Sequence, residues 1–100
     1  MSKVVRIGAG SGMLFDSALG VEGMLSCKVP PNYIIFDHLA EATMTHFLQM
    51  RQASEEMGYS SNFIDIHVGP YLDKLMAAGV KLITNAGGLN PQAAVRALEK

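Results

Sequence analysis

One hundred residues suffice for a single domain with one modest hydrophobic core. Apolar residues make up 49% of the chain and charged residues 17%, which argues against an intrinsically disordered protein. The net charge of −1 does not favour a nucleic-acid partner, and the single cysteine, Cys27, excludes an internal disulfide and a cysteine-only metal cage. No apolar stretch reaches the roughly 18 residues of a membrane span, and the start lacks the apolar core of a signal peptide, so we expect a cytoplasmic protein without a membrane partner.

The first half of the chain predicts two strands separated by a helix. A short buried strand is expected from the β-branched residues Val4, Val5 and Ile7, interrupted only by Arg6 and closed by a glycine loop, GAGSG, at residues 8–12. A helix is expected from about Asp16 to Cys27, with a polar N-cap and two internal glycines that weaken it. The prolines of VPPN then break the chain before the second strand, YIIF at residues 33–36.

The second half of the chain predicts three helices and one strand. Apolar spacing predicts a helix over residues 38–57 that stops at Gly58, and a second helix over 68–76 that Gly79 terminates. A strand follows over residues 80–84. The last helix is capped by Asn90, begins at Pro91 and continues to Lys100.

This alternation of strands and helices is typical of the α/β class. It predicts a parallel sheet with helices on both faces and right-handed crossovers. Residues 1–100 then form one α/β domain. A third strand followed by a helix looks like the first three strands of a larger doubly wound domain, so we expect an N-terminal fragment of a longer protein.

All strands of a parallel sheet point their carboxyl ends at one edge, where ligands bind in open α/β sheets. Here those ends carry three loops, GAGSG, DHLAE and NAGGLNP, which should meet in one cleft. The backbone amides of the first loop suit an anionic group. The candidate ligand-binding residues of this loop are Gly8, Gly10, Ser11 and Gly12.

The second loop carries two carboxylates, Asp37 and Glu41. They are candidate catalytic residues, as a general base or as oxygen ligands of a cation. The alternative is that Asp37 caps a helix and Glu41 favours its positive end. His38 between them could titrate near neutral pH, although a lone loop histidine is more often a polar surface residue. No spacing of histidine and cysteine indicates a zinc site.

The third loop contains one residue that a turn does not explain. Asn85 ends the strand, and a buried amide there needs a partner, which either a substrate or the neighbouring loop could supply. We therefore count Asn85 as a candidate catalytic residue. The other candidate ligand-binding residues are Gly87, Gly88, Asn90 and, from the first crossover, Asp16, for which helix capping is the alternative.

Two nucleotide-binding patterns match the first loop poorly. The dinucleotide pattern GxGxxG needs glycine where this chain has Met13. The first motif of S-adenosylmethionine-dependent methyltransferases usually has a carboxylate where this chain has Arg6.

Three segments together, RIGAGSG with Asp16 after it, FDHLAEATM and LITNAGGLNP, resemble the start of the acyclic terpene utilisation family in order and spacing. The resemblance covers essentially the whole chain and departs from the family around residues 13–26. It implies a cytoplasmic α/β protein of much greater length, associated with the breakdown of citronellol, geraniol and related branched acyl-CoA compounds. The family's motif positions fall on the three loops named above.

The leading interpretation is a catabolic enzyme that acts on branched carboxylic acids or their acyl-CoA thioesters. Asp37 or Glu41 would be an acid, a base or a cation ligand, and Asn85 would orient the substrate. One alternative is a binding or assembly module that partners an acyl-CoA carboxylase, and another is a nucleotide- or S-adenosylmethionine-binding enzyme. The sequence identifies no cofactor and leaves a homo-oligomer open.

Overall fold

The computed structural model describes residues 3–14, 16–17 and 19–99. Its strands are β1 (Ile7–Ser11), β2 (Tyr33–Phe36) and β3 (Lys81–Thr84). Its helices are α1 (Leu19–Leu25), α2 (Glu41–Ala53), α3 (Leu72–Ala78) and α4 (Pro91–Leu98). A π-helix (Phe63–Val68) and a 3₁₀ turn (Gly69–Tyr71) lead directly into α3.

The three strands form one parallel sheet in the order β1-β2-β3. Ile34 of β2 pairs with Gly8 on one side and with Leu82 on the other. With helices around this sheet, the predicted α/β class is confirmed. Because the order follows the chain, the strand order does not reverse within this sheet.

The two faces of the sheet differ in burial. Ile34 and Phe36 are almost fully buried in a core that also takes side chains from α1, the π-helix and α3. Residues of the opposite face include Ile35 and Ile83, which are 42% and 54% exposed. Among the described residues the helices that supply the core therefore lie on the face of the sheet that carries Phe36. That helices also cover the second face remains a prediction.

β1 lies later in the chain than predicted. Val4 and Val5 are exposed, whereas Gly8 and Gly10 belong to the strand and not to a loop. A side chain on either glycine would collide with the core, at Met24 for Gly8 and at the Phe36 ring for Gly10. The glycines of β1 therefore allow close packing inside the sheet layer, which the expectation of a ligand loop missed.

β1 also contains a bulge that affects the candidate site. The register shifts between Ala9 and Ser11, so Ser11 and not Gly10 pairs with Phe36. Bulges redirect side chains at the ends of strands. The bulge leaves the Ser11 side chain buried at the carboxyl edge of the sheet.

α2 is shorter at both ends than the predicted range of residues 38–57. The Asp37 carboxylate accepts the amide of Leu39, which makes a turn before the helix. Ala40 is the N-cap, its amide donates to the Thr43 hydroxyl, and the helix ends at Ala53. The turn at Asp37 delays the helix because side-chain bonds to nearby amides compete with helical ones.

The helical segment before α3 begins earlier than predicted and is not a regular α-helix. The Gly69 amide donates to the carbonyl of Ile64, five residues back, as in a π-helix. Pro70 has no amide hydrogen, so a standard helical ladder cannot continue through it. This geometry buries Phe63, His67 and Val68 against the sheet.

The end signals of the last two helices are confirmed. Gly79 closes α3 in the left-handed conformation, and Asn90 caps α4 through a bond from the Ala93 amide. Lys100, to which α4 was expected to continue, lies outside the described residues. In the described part of the chain, no helix has the length and apolar character needed to cross a bilayer.

Candidate functional site

The second and third loops meet through Asn85. Its side-chain oxygen accepts the backbone amide of His38 at 2.9 Å, and its side-chain nitrogen donates to the Asp37 carboxylate at 3.0 Å. The bond from Asn85, followed by the bond from the Leu39 amide, lowers the pKa of the Asp37 carboxyl. Asp37 is therefore an ionised acceptor. The neighbouring loop supplies the partners of Asn85, which is exposed and not buried as expected.

The glycine segment at the end of β1 is hydrogen-bonded to a carboxylate of the same chain. The Gly12 amide donates to Asp16 at 2.8 Å, and the Ser17 amide donates to the other oxygen of the same carboxylate. These two bonds, that from Gly12 first, lower the pKa of Asp16. An external anion at the Gly12 amide would have to displace Asp16.

Glu41 lies apart from this arrangement, at the first position of α2, and its side chain is exposed. Its position fits the alternative in which a carboxylate favours the positive end of a helix. Among the described residues, no cluster of three or more His, Cys, Asp or Glu side chains could hold a metal ion.

In the third loop, Gly88 and Asn90 contact other parts of the chain and thereby stabilise the fold. Gly88 has a φ of +54° and lies so close to Phe47 that an added side chain would overlap its ring. The side-chain nitrogen of Asn90 donates to two main-chain carbonyls, those of Glu55 and Met57, in the segment that connects α2 to the π-helix. Together they attach this loop to the segment around α2.

His38 occupies the centre of the three loops, which the expectation of a polar surface residue missed. Its side chain is fully buried. Its Nε2 lies 3.2 Å from the Ser11 hydroxyl and its Nδ1 lies 3.1 Å from the Ser60 hydroxyl. His38 thus connects the end of β1, the end of β2 and the entry to the π-helix.

A second buried histidine, His67, lies beside His38, with 5.4 Å between the ring centroids. Within the described residues, neither ring nitrogen of His67 has a hydrogen-bond partner of normal distance and angle, although the main chain of Asp16 lies near enough to raise the His67 pKa.

Burial, more than any neighbour, lowers the pKa of both imidazoles, and the charge of Asp16 acts in the opposite direction on each. Both rings are therefore neutral at physiological pH. The sequence signal for a buried His67 was its position between Ile66 and Val68.

Two largely apolar cavities open at this edge of the sheet, and Leu39 lines both. The first, here called the α4 cavity, has a volume of about 400 Å³ and lies between the third loop and α4, with Ser60 in its wall. The second, here called the α2 cavity, has a volume of about 420 Å³ and lies between Gly12 and the first turns of α2. The structure thus has two cavities at this edge of the sheet, where a single cleft was expected.

The structure brings Asp37, Asn85 and Ser11 together around His38, and it places Asp16 on Gly12. No curated protein and no solved structure gave a significant match to the chain. Residues 5–100 match the family model described as acyclic terpene utilisation family protein AtuA. The match spans all three loops and every described element, and the chain therefore belongs to the acyclic terpene utilisation family.

Proposed function

We propose that this chain carries the acyl-binding site of an enzyme that acts on branched carboxylic acids or their acyl-CoA thioesters. Family membership implies a role in acyclic terpene catabolism. The observation that carries the proposal is the pair of apolar cavities on either side of Leu39, beside the polar group of Asp37 and Asn85. Ligand sites are usually apolar clefts with a few polar groups that fix orientation.

The α4 cavity suits the branched hydrocarbon part of the ligand. Its lining is mostly apolar and includes Phe63, Val95 and Leu98. Burying apolar surface contributes about 25 cal/mol per Å², so a branched chain gains affinity from a lining of this kind.

The side-chain amide of Asn85, which has a second N–H besides the one that donates to Asp37, would bind the carboxyl or thioester end. Asp37 is ionised and suits a cation or a hydrogen-bond donor better than an acid role. The amide of Asn85 orients that carboxylate and, in this proposal, also orients the substrate. Glu41 lies apart from these groups, at the first position of α2, and stays in this proposal only as a candidate acid or base.

The test is thermal unfolding of the protein with citronellic acid and its CoA thioester, compared with decanoic acid and decanoyl-CoA. A ligand present at 100 times its Kd adds about 2.7 kcal/mol of stability. We expect the branched compounds to raise the unfolding temperature more than the linear ones. Equal shifts, or no shift with any of the four compounds, would refute the proposed substrate class.

A matched pair of variants locates the binding site. Leu98 lines the α4 cavity and Leu72 does not, although the two are similarly exposed, at 42% and 44%. Leu98→Gln should weaken binding of the branched acid about tenfold, because it replaces apolar contact with a polar amide. Leu72→Gln should leave binding unchanged, and equal effects of both would place the site elsewhere.

The exposed second face of the sheet favours a second candidate function. Ile35 and Ile83 give that face an apolar surface, which suits an assembly module that binds a partner such as an acyl-CoA carboxylase. Asp37→Asn and Glu41→Gln separate the candidates. An enzyme should lose turnover while its fold persists, whereas an assembly module should retain its function.

A further inference from the structure

The proposed function leaves one hydrogen-bonded series of side chains unused. The hydroxyl of Ser60, the imidazole of His38 and the hydroxyl of Ser11 follow one another at 3.1 and 3.2 Å. All three residues are buried, with exposed fractions of 6% or less. We call this series the serine–histidine relay.

The surrounding bonds assign a direction to the relay. Ser60 Oγ accepts the amide of Phe63, so its own hydrogen is available to His38 Nδ1. His38 Nε2–H then donates to Ser11 Oγ, whose hydrogen points to the carbonyl of Asp37. With this tautomer every donor has an acceptor, as buried polar groups require.

One end of the relay reaches the α4 cavity. Ser60 forms part of the cavity wall together with Phe63 and Ala86, whereas His38 and Ser11 lie behind it. The hydroxyl that donates to the imidazole is thus the one beside the cavity. A nucleophile next to a base that a third group orients is the arrangement of covalent acyl transfer.

We propose that Ser60 is the nucleophile of an acyl-transfer reaction in the α4 cavity, with His38 as its base and Ser11 as the residue that positions His38. The substrate is an ester or thioester with an apolar acyl chain; this identification of the acyl group rests on the proposed function.

The reaction balances with water as the second substrate. Ser60 Oγ attacks the carbonyl carbon while its proton moves to His38 Nδ1, and the carbon–sulfur bond then breaks. The same proton passes to the departing thiolate, which leaves as a thiol. Water, deprotonated by His38, then attacks the acyl-serine, and the carboxylic acid leaves as Ser60 regains its proton.

The environment of His38 suits a base at neutral pH. Burial and the neighbouring His67 lower its pKa, whereas Asp37 and Asp16 act in the opposite direction. The imidazole is therefore neutral and can accept a proton. Its backbone amide is held by Asn85, and Ser11 holds the far ring nitrogen, so the ring is fixed from two strands.

The experiment is covalent labelling of the whole chain with a small fluorophosphonate, followed by peptide mass spectrometry. Fluorophosphonates phosphonylate serines that a neighbouring base activates, and the reaction needs no knowledge of the natural substrate. We expect one label, on Ser60. No label on Ser60 of the wild-type protein, or a label on another serine in its place, would overturn the proposal.

Variants test the base and the positioning residue. His38→Asn should slow labelling at least about 100-fold, because it retains a hydrogen-bonding atom but removes the base. Ser11→Ala should slow labelling and shift its pH dependence, whereas Ser11→Thr should restore both. Ser61→Ala, next to the nucleophile, is the matched control and should label at the wild-type rate.

Circular dichroism checks that each variant is folded, and labelling of the wild type decides the proposal even where a variant is not. Equal labelling rates in wild type and folded His38→Asn would exclude the relay.

The outcomes also separate the two proposals. Labelling of Ser60 without stabilisation by any branched acid or acyl-CoA would refute the proposed substrate class and support Ser60 as the nucleophile. Stabilisation by these compounds without labelling of Ser60 would support the substrate class and refute the nucleophile.

Discussion

Within the described residues, His38 and His67 are buried side by side and neither ring makes a hydrogen bond to a carboxylate. An imidazolium in such a place loses hydration, and the charges of Asp37 and Asp16 offset only part of that loss, so the neutral form is preferred. In the neutral form His38 satisfies both ring nitrogens through Ser60 and Ser11, whereas a second ring proton would disturb that assignment. Proton binding to these rings is therefore linked to unfolding.

The first prediction is that the protein loses stability as the pH falls below about 6.5, the pKa of a histidine in an unfolded chain. The folded-state pKa of both histidines is lowered, so the unfolded chain binds more protons in this range. The stabilisation is present above pH 6.5 and is lost as the pH falls towards the folded-state values. Each histidine contributes up to about 1.4 kcal/mol per pH unit.

Urea unfolding at pH 7.5 and pH 5.5 measures this loss. His67→Leu should reduce it by about half and should not destabilise the protein at pH 7.5, because the ring nitrogens of His67 make no good hydrogen bond there. The carboxyls with lowered pKa, Asp16 and Asp37, titrate in a more acidic range. A stability that is constant between the two pH values would contradict the assignment of neutral histidines.

The second prediction concerns the bridge made by Asn85. Asn85→Ala removes two hydrogen bonds, to the His38 amide and the Asp37 carboxylate, and should cost about 1 kcal/mol of unfolding free energy. Asn85→Asp should cost more at pH 7, since it replaces a donor to Asp37 with a second negative charge. The difference in unfolding free energy between the two variants should shrink as the carboxyls become protonated. Chemical denaturation at pH 7 and at pH 4 measures this change. An aspartate variant as stable as the alanine variant at pH 7 would show that the bridge does not form.

At the scale of elements, the sequence predicted what depends on local signals. The cap at Asn90, the end of α3 at Gly79 and the strand YIIF each follow from neighbouring residues, and the structure has them. The π-helix was missed because its hydrogen bonds span five residues, so apolar side chains do not recur with the spacing of an α-helix. The buried histidines were missed with it, because what buries them is the packing of the π-helix against β2.

The third prediction concerns the element boundary in the third loop. Gly88 is left-handed and an added Cβ would lie 2.7 Å from the Phe47 ring and 2.9 Å from the Gly58 carbonyl oxygen. Gly79 is also left-handed, but the space around it is open. Gly79→Ala should therefore cost only the backbone term of roughly 1–2 kcal/mol, and Gly88→Ala should cost distinctly more because steric overlap is added. Urea unfolding of both variants gives the comparison, and equal costs would mean that Phe47 and Gly58 move away freely.

At the scale of the whole molecule, the sheet is covered unequally. One face carries the core, and the other presents Ile7, Ile35 and Ile83 to solvent at exposed fractions of 63%, 42% and 54%. Their strands pair in register, so Ile35 and Ile83 lie side by side with Ala9 on the same row. Contiguous apolar surface of this kind is typical of an interaction site or of a tendency to associate.

The fourth prediction is that the chain in isolation self-associates through this face. Ile35→Thr and Ile83→Thr should lower the association constant at least about tenfold for the pair, because each removes exposed apolar surface while threonine still favours a strand. Analytical ultracentrifugation over a range of concentrations measures the effect, and circular dichroism should show an unchanged fold. Ile34→Thr, at the neighbouring position of β2, is the matched control: its side chain is fully buried on the opposite face, so this variant should lose stability instead. A wild-type chain that stays monomeric at high concentration, or an association that the two surface variants leave unchanged, would show that the open face does not bind a second copy.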